Sequence, residues 1–226
     1  MALRLVAAGL EEDPATAYRH AQAARQLAAR VGIVREAAGI AAYRAGEWAD
    51  ALTELRAARR LTGRKGYLPL MADAERALGR LDRALDLVTG AESRAVDRAT
   101  AIELRIVESG IRRDQRLFDA AVAVLQVPEL TDGRVRPGSA RLYYAYADAL
   151  LEAGREDEAR DWFGKAAAAD KDDMTDAADR FEELDSVVFD YLADPDELAD
   201  EVADADEVAD ADEVADADED EEPASR

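Results

Sequence analysis

Chemistry in this chain would have to start from very few reactive groups. His20 is the single histidine among 226 residues, and there is no cysteine. A proton relay or nucleophilic triad therefore has one imidazole to draw on. Thiolate nucleophiles, thiolate metal sites and disulfide staples are excluded together. His20 falls on a surface-leaning position of an alanine-rich segment, where a solvated or packed structural imidazole is the simpler reading. Gly63-Arg64-Lys65-Gly66 combines glycines with a lysine, but it lacks the spacing and the Ser/Thr of a phosphate-binding loop. It reads as a turn. Neither a second histidine nor an EF-hand spacing with its glycine is present to support a metal site. The sequence predicts no catalytic residue, no cofactor and no metal.

Charge is the other chemical resource. Asp and Glu number 51 against 29 Lys and Arg, a formal net charge of −22. The imbalance is local: residues 185–226 hold 19 of the acidic groups and one arginine, leaving 32 acidic and 28 basic groups in the other 184 residues. Within that tail D-E-V-A-D-A occurs three times between Asp200 and Ala217. Wound as a helix, Val202, Val208 and Val214 would fall about 240° apart in succession, so no face could be buried. Dense like charge repels itself, and residues 193–226 are expected to form a disordered acidic tail. It could lure a basic partner, mimic a nucleic acid, bind cations weakly at many sites, or simply keep the protein soluble. Binding there would depend strongly on salt, which screens exposed charges beyond about 8 Å. The nearly balanced remainder disfavours nucleic-acid binding.

The scaffold that positions these groups is repetitive. Ala17, Ala51, Ala84, Ala121 and Ala159 recur at steps of 34, 33, 37 and 38 residues, in settings such as Gly46-Glu-Trp-Ala-Asp-Ala-Leu52 and Gly154-Arg-Glu-Asp-Glu-Ala-Arg160. A small unit copied at that period means a succession of helical hairpins. Asp13 is a natural N-cap and Pro14 suits the first helical turn, so a helix is expected over 14–29, preceded by a short one near 2–8. Further helices are expected at 34–45, 48–61, 68–78 and 81–88, then two more pairs in the fourth and fifth units. Glu75 takes an inward position that normally wants an aromatic. The fourth unit's apolar stripe (Leu104, Val107, Ile111) matches the others only if one extra residue lies in the 112–116 turn, which would explain the 37-residue step. The 128–138 loop, with two prolines and two glycines, accounts for the 38. Met174, Ala177, Phe181 and Leu184, extended by Val188, Phe189 and Leu192, are expected to form a capping helix with Asp172 or Asp173 as its N-cap and Asp176, Asp179, Glu182 and Glu183 outward.

These residues resemble the tetratricopeptide repeat (TPR) family. The likeness is carried by Gly39, Gly46, Trp48, Ala51, Leu55 and Ala58, and by Ala147, Gly154, Ala159, Phe163 and Ala166. Arg116 stands where the turn glycine belongs, and Glu156 where a bulky residue belongs. The resemblance covers residues 1–185 and implies an all-α, right-handed α-solenoid of about four and a half antiparallel hairpins plus a capping helix, spanning 1–192. It also implies a concave groove lined by the first helix of each hairpin. Carried over position by position, the groove residues are Glu36, Ile40, Tyr43 and Arg44 in the second unit and Asp73 and Arg76 in the third. Arg105, Ser109 and Arg112 follow in the fourth, and Tyr144, Asp148 and Leu151 in the fifth. Such a mixed groove suits an extended or helical peptide; the alternative is an ordinary solvated face. The family's peptide-carboxylate clamp needs Lys and Asn where this chain has Glu36 and Ile40, and is not expected.

Arginine outnumbers lysine 26 to 3, which with abundant alanine suggests a GC-rich coding genome. The whole chain resembles TPR proteins of actinobacterial type, a likeness that carries no activity. No apolar run approaches the length of a membrane span, and the first ten residues are too weakly apolar for a secretory signal, so a soluble cytoplasmic protein is expected. The leading expectation is a non-enzymatic scaffold holding a protein segment in its groove. The rival is a charge-based chaperone or nucleic-acid mimic whose tail captures a basic protein.

Overall fold

The computed structural model describes residues 13–193, with side chains to residue 186. Among these residues there are eleven α-helices and no strand. They are α1 (Pro14–Leu27), α2 (Gly32–Arg44), α3 (Trp48–Thr62), α4 (Leu68–Ala77), α5 (Leu81–Thr89), α6 (Arg98–Asp114), α7 (Phe118–Leu125), α8 (Pro128–Thr131), α9 (Ser139–Glu152), α10 (Glu156–Ala169) and α11 (Ala177–Ala193). The chain divides into two units, Met1–Phe181 and Glu182–Arg226. All packing below lies in the first. In the second, Ser186 Oγ donates to the Glu183 carbonyl at 2.8 Å within α11. The helix expected near residues 2–8, the packing of Val188, Phe189 and Leu192, and the acidic tail lie outside the described residues or side chains.

Four hairpins, α2/α3, α4/α5, α6/α7 and α9/α10, are closed by turns of one geometry. In each, a residue with positive φ (Gly46 76°, Gly79 71°, Arg116 61°, Gly154 74°) follows the first helix. The next amide donates back across it: Glu47 to Ala42, Arg80 to Glu75 and Leu117 to Arg112 at 2.9 Å, and Arg155 to Leu150 at 3.0 Å. That is the bond of a Schellman closure, which satisfies carbonyls the helix end leaves open. The carbonyl of the same residue then accepts the first bond of the second helix, from Ala51, Ala84, Ala121 or Ala159. Ala17 bonds Asp13 in the same way. All five alanines have 0% exposure, so the alanine ladder marks one position, the first closed turn of each second helix.

This geometry corrects the expected register of the fourth unit. The 112–116 turn contains no extra residue. The longer interval instead arises before it, in residues 90–97, which include a 3-10 turn at Ser93–Ala95, and in the 17-residue α6. Counted from Arg116, the small residue of the hairpin core is Ser109, matching Gly39, Ala72 and Ala147 in the other units. Ser109 is buried and its hydroxyl donates to the Ala121 carbonyl at 3.0 Å. A Cβ on Gly39 would meet the Leu55 side chain at 2.7 Å, which is why this contact takes glycine.

From α1 to α7 each helix packs on the next, as do α8 on α9 and α9 on α10; α4 also reaches α6, and α9 reaches back to α7 and α6, past the intervening helices. The core is correspondingly layered. Leu52, Leu55 and Ala58 of α3 join Tyr67, Met71 and Ala74 at the start of the next hairpin. Leu68 and Ala72 of α4 then join Ala84, Val88, Leu104, Val107 and Ile111. Glu75, 1% exposed, is held between Arg56 and Arg80, so an ion pair takes the place of the expected aromatic. Glu54 is likewise buried between Arg25 and Arg35, both at 2.6 Å.

At the far end, Phe181 lies over Gly164, and Arg180 stacks on Phe163 at 4.9 Å. Two expectations fail here. Met174 precedes α11 and is 63% exposed, so it is no part of the buried stripe. Asp172 and Asp173 do not cap α11; the Asp176 carbonyl accepts from Arg180, and Asp170 instead folds the loop by accepting from the Met174 and Thr175 amides.

Candidate functional site

The first helices of the hairpins, α2, α4, α6 and α9, share a repeated polar contact. Three residues before the positive-φ position stand Tyr43, Arg76 and Arg113; six before it stand Asp73, Gly110 and Asp148 in the hairpins that follow. Tyr43 donates its hydroxyl to Asp73. Arg76 lies over Gly110, whose absent Cβ would sit 2.7 Å from the guanidinium, and grips Asp114 with two bonds of 2.7 and 3.1 Å. Arg113 bonds Asp148 at 2.9 Å and also pairs with Glu152. Each rung therefore ties one hairpin to the next.

Beside these rungs lies a cavity of about 500 Å³. Tyr43 and Arg44 of α2, Leu70 and Arg76 of α4, and Ile106, Gly110 and Arg113 of α6 form part of its wall. Ser109 of α6, Arg141, Tyr144, Ala145 and Asp148 of α9, and Met174 and Thr175 of the loop between α10 and α11 form the rest. A wider cleft of about 730 Å³ shares Arg76 and Arg113 with it and extends to Asp114, Arg116, Phe118 and Glu152.

The cavity's chemistry follows from burial and charge. Burial, then the Asp73 acceptor, pushes the Tyr43 phenol well above its ordinary range, while Arg141 and Arg44 pull the other way. Both arginines line the same cavity, Arg44 from α2 and Arg141 from α9. Tyr144, packed edge-on to Phe163 at 5.3 Å, is pushed up to about 12 by burial and by Asp176 and Asp148. Both phenols remain neutral hydrogen-bond donors at physiological pH. The Asp114 bonds outweigh burial and stabilise the Arg76 charge; burial opposes the Arg113 charge, but Glu152 and Asp148 more than offset it. Arg141 pairs with Glu103 at 2.9 Å. Arg44 is exposed and has no ion-pair partner among the described residues. The surface offers aromatic faces, apolar patches and guanidinium groups.

Six of the twelve sequence-derived groove residues line this one cavity: Tyr43, Arg44, Arg76, Ser109, Tyr144 and Asp148. Asp73 stands behind it, bonded to Tyr43 and Arg76. Glu36 pairs with Arg64 at 3.2 Å, and Ile40 and Leu151 are half-buried outside the lining. Arg105 and Arg112 flank buried Glu108 instead, at 3.2 and 3.8 Å, and Arg105 borders a separate cleft of about 270 Å³ with Val88 and Leu104. The one-residue register shift in α6 is the cause: beside Ser109, the α6 residues that line the cavity are Ile106, Gly110 and Arg113. Equal turn spacing, with Arg116 aligned to the glycines, was the signal that finds them. Arg141, Met174 and Thr175 come from a helix start and a loop, where no repeat position points to them.

No protein-family model matches the chain, and no curated protein matches it. No cluster of three or more metal-ligating side chains is found among the described residues, and no helix among them is long and apolar enough to cross a membrane.

Proposed function

We propose that this protein is a non-enzymatic interaction scaffold of the TPR type, a right-handed α-solenoid that holds a peptide or helix of a partner protein in its concave groove. The observation that carries this reading is the cavity beside the cross-hairpin rungs, to which four successive first helices each contribute. Tyr43 and Tyr144 present aromatic faces, and such rigid, partly polar rings supply binding energy at low entropic cost. Arg44 of α2 and Arg141 of α9 add directional donors. The reading places the protein in the cytoplasm and assigns it no nucleic-acid or membrane partner.

The test is site-specific photocrosslinking in the native cell, with the crosslinker replacing Arg44 in one strain and Arg105 in another. Capture of a discrete partner from position 44 and not from position 105 supports the groove. Capture that is equal from both positions, or recovery of the same partners by a Tyr43→Ala/Tyr144→Ala variant, refutes it.

A second reading rests on the charge of residues 185–226. There the acidic tail captures a basic protein and the helical region carries it. Deleting residues 194–226 separates the two: loss of every partner with the tail, and rescue by the tail alone, favours the second.

A further inference from the structure

The longest connection between described helices of neighbouring hairpins, residues 126–138, does more than join α7 to α9. With the first turns of α6 and α9 it lines a half-open cavity of about 290 Å³, which shares no lining residue with the cavity beside the rungs. Ala99, Ile102, Pro137 and Leu142 supply apolar wall. The enclosing loop is tied down: Arg136 bonds Asp132 at 2.6 and 3.1 Å, and its amide donates to Ser139 Oγ at 2.9 Å.

The rim is charged, yet each of its charges is already matched. Arg98 bonds buried Glu129, Arg136 bonds Asp132, and Glu103 pairs with Arg141 at 2.9 Å. An ion entering the cavity would have to shed water and break one of these pairs, with no unpaired group to receive it. An uncharged molecule meets no such penalty, and it covers apolar wall that is otherwise unfilled. An apolar cavity of about 150 Å³ is already enough to take up benzene. We propose that this cavity binds a small uncharged apolar molecule, about the size of indole. The inference stands whether or not the groove binds a peptide.

The experiment is an NMR titration of the full-length protein with indole as the probe, following the Ile102 and Leu142 methyl resonances. Saturable shifts of both are expected, with a dissociation constant of about 0.1–1 mM, ordinary for so few heavy atoms. Tryptamine and indole-3-acetate, which add a charge of either sign, should bind at least about tenfold more weakly. Ala99→Phe fills the cavity from an exposed wall position and should abolish the shifts. Ala99→Leu, a smaller filling, should weaken them if the larger side chain disturbs the fold. The proposal is overturned if indole gives no saturable shift up to its solubility limit. It is equally overturned if a folded Ala99 variant responds like the parent, or if either charged analogue binds as tightly as indole.

Discussion

Replacing Arg116 by glycine should make the protein more stable, although it removes a large side chain. Arg116 holds φ at 61°, where its three counterparts are glycines at 71–76°. For an L-residue with a Cβ that conformation costs about 1–2 kcal/mol. Glycine relieves it, but returns about 0.4–1 kcal/mol through the freedom it adds to the unfolded chain. The Arg116 side chain is exposed and forms no hydrogen bond or ion pair among the described residues; it only favours the Glu152 charge from a distance. Losing that exposed attraction costs a few tenths of a kcal/mol at most. The net gain is about 0.5–1 kcal/mol, or about 1–4 °C in midpoint for a domain of this size. Gly46→Ala runs the same change backwards and should lose about 0.5–1 kcal/mol. Arg116→Asn, a residue that tolerates left-handed backbone, should fall between parent and glycine. Urea unfolding followed by circular dichroism reads all three. If Arg116→Gly is destabilising, or Gly46→Ala is silent, the shared turn geometry does not carry the energy assigned to it.

Two helical glycines should respond differently to alanine. Gly39→Ala sets a Cβ 2.7 Å from the Leu55 side chain and 3.1 Å from its backbone nitrogen, an overpacking of about 1–3 kcal/mol that outweighs the helix-propensity gain. Gly110→Ala meets only the movable Arg76 guanidinium, so thermal unfolding should show it near neutral, with the Arg76–Asp114 bonds displaced in a crystal structure. Glu75→Ala strands Arg56 and Arg80, both half-exposed and able to turn to water, and should cost about 1–3 kcal/mol; Glu75→Leu, which copies Leu150 of the last hairpin, should be neutral or stabilising in urea. In an ultraviolet titration Tyr18 and Tyr144 should ionise near pH 12. Because folding raises these pKa values, the stability they contribute is complete below about pH 10 and is lost as pH rises towards 12. Asp73→Asn should bring the Tyr43 titration down, and an unchanged curve would remove Asp73 as its partner.

Much of the fold was legible because two rules act locally. A glycine at the hairpin turn and an alanine five residues later are both dictated by backbone geometry, so their spacing reads out the helices within a residue or two. Arg116 broke the first rule without breaking the geometry, and a stripe of Leu104, Val107 and Ile111 then suggested a false insertion. The polar ladder was less legible. Tyr43 to Asp73, Arg76 to Asp114 and Arg113 to Asp148 are pairs 30–38 residues apart, and an arginine's partner depends on how its long side chain crosses to the next helix. The same holds for Glu75, whose inward position reads as a defect until Arg56 and Arg80 supply its charge. Met174 was misplaced because apolar spacing alone does not say where a helix begins; Asp170 decides that by capturing the Met174 and Thr175 amides.

The ladder also limits what the cavity beside it can offer a ligand. An arginine-rich face invites the idea of a strongly anionic ligand, yet Arg76 and Arg113 are each held by two carboxylates that join neighbouring hairpins. A ligand that recruited either would release an aspartate or glutamate beside itself and loosen the joint between hairpins. The groups that can meet a partner without that penalty are Arg44, the exposed edge of Arg141, and the surfaces of Tyr43, Tyr144, Leu70, Ile106 and Met174. They lie on α2, α4, α6 and α9 and on the loop before α11, so a segment using them together would touch several hairpins at once. On the proposed reading, this face would favour apolar and aromatic side chains with a few accepting groups for Arg44 and Arg141, while the paired charges of Arg76 and Arg113 keep the hairpins in register.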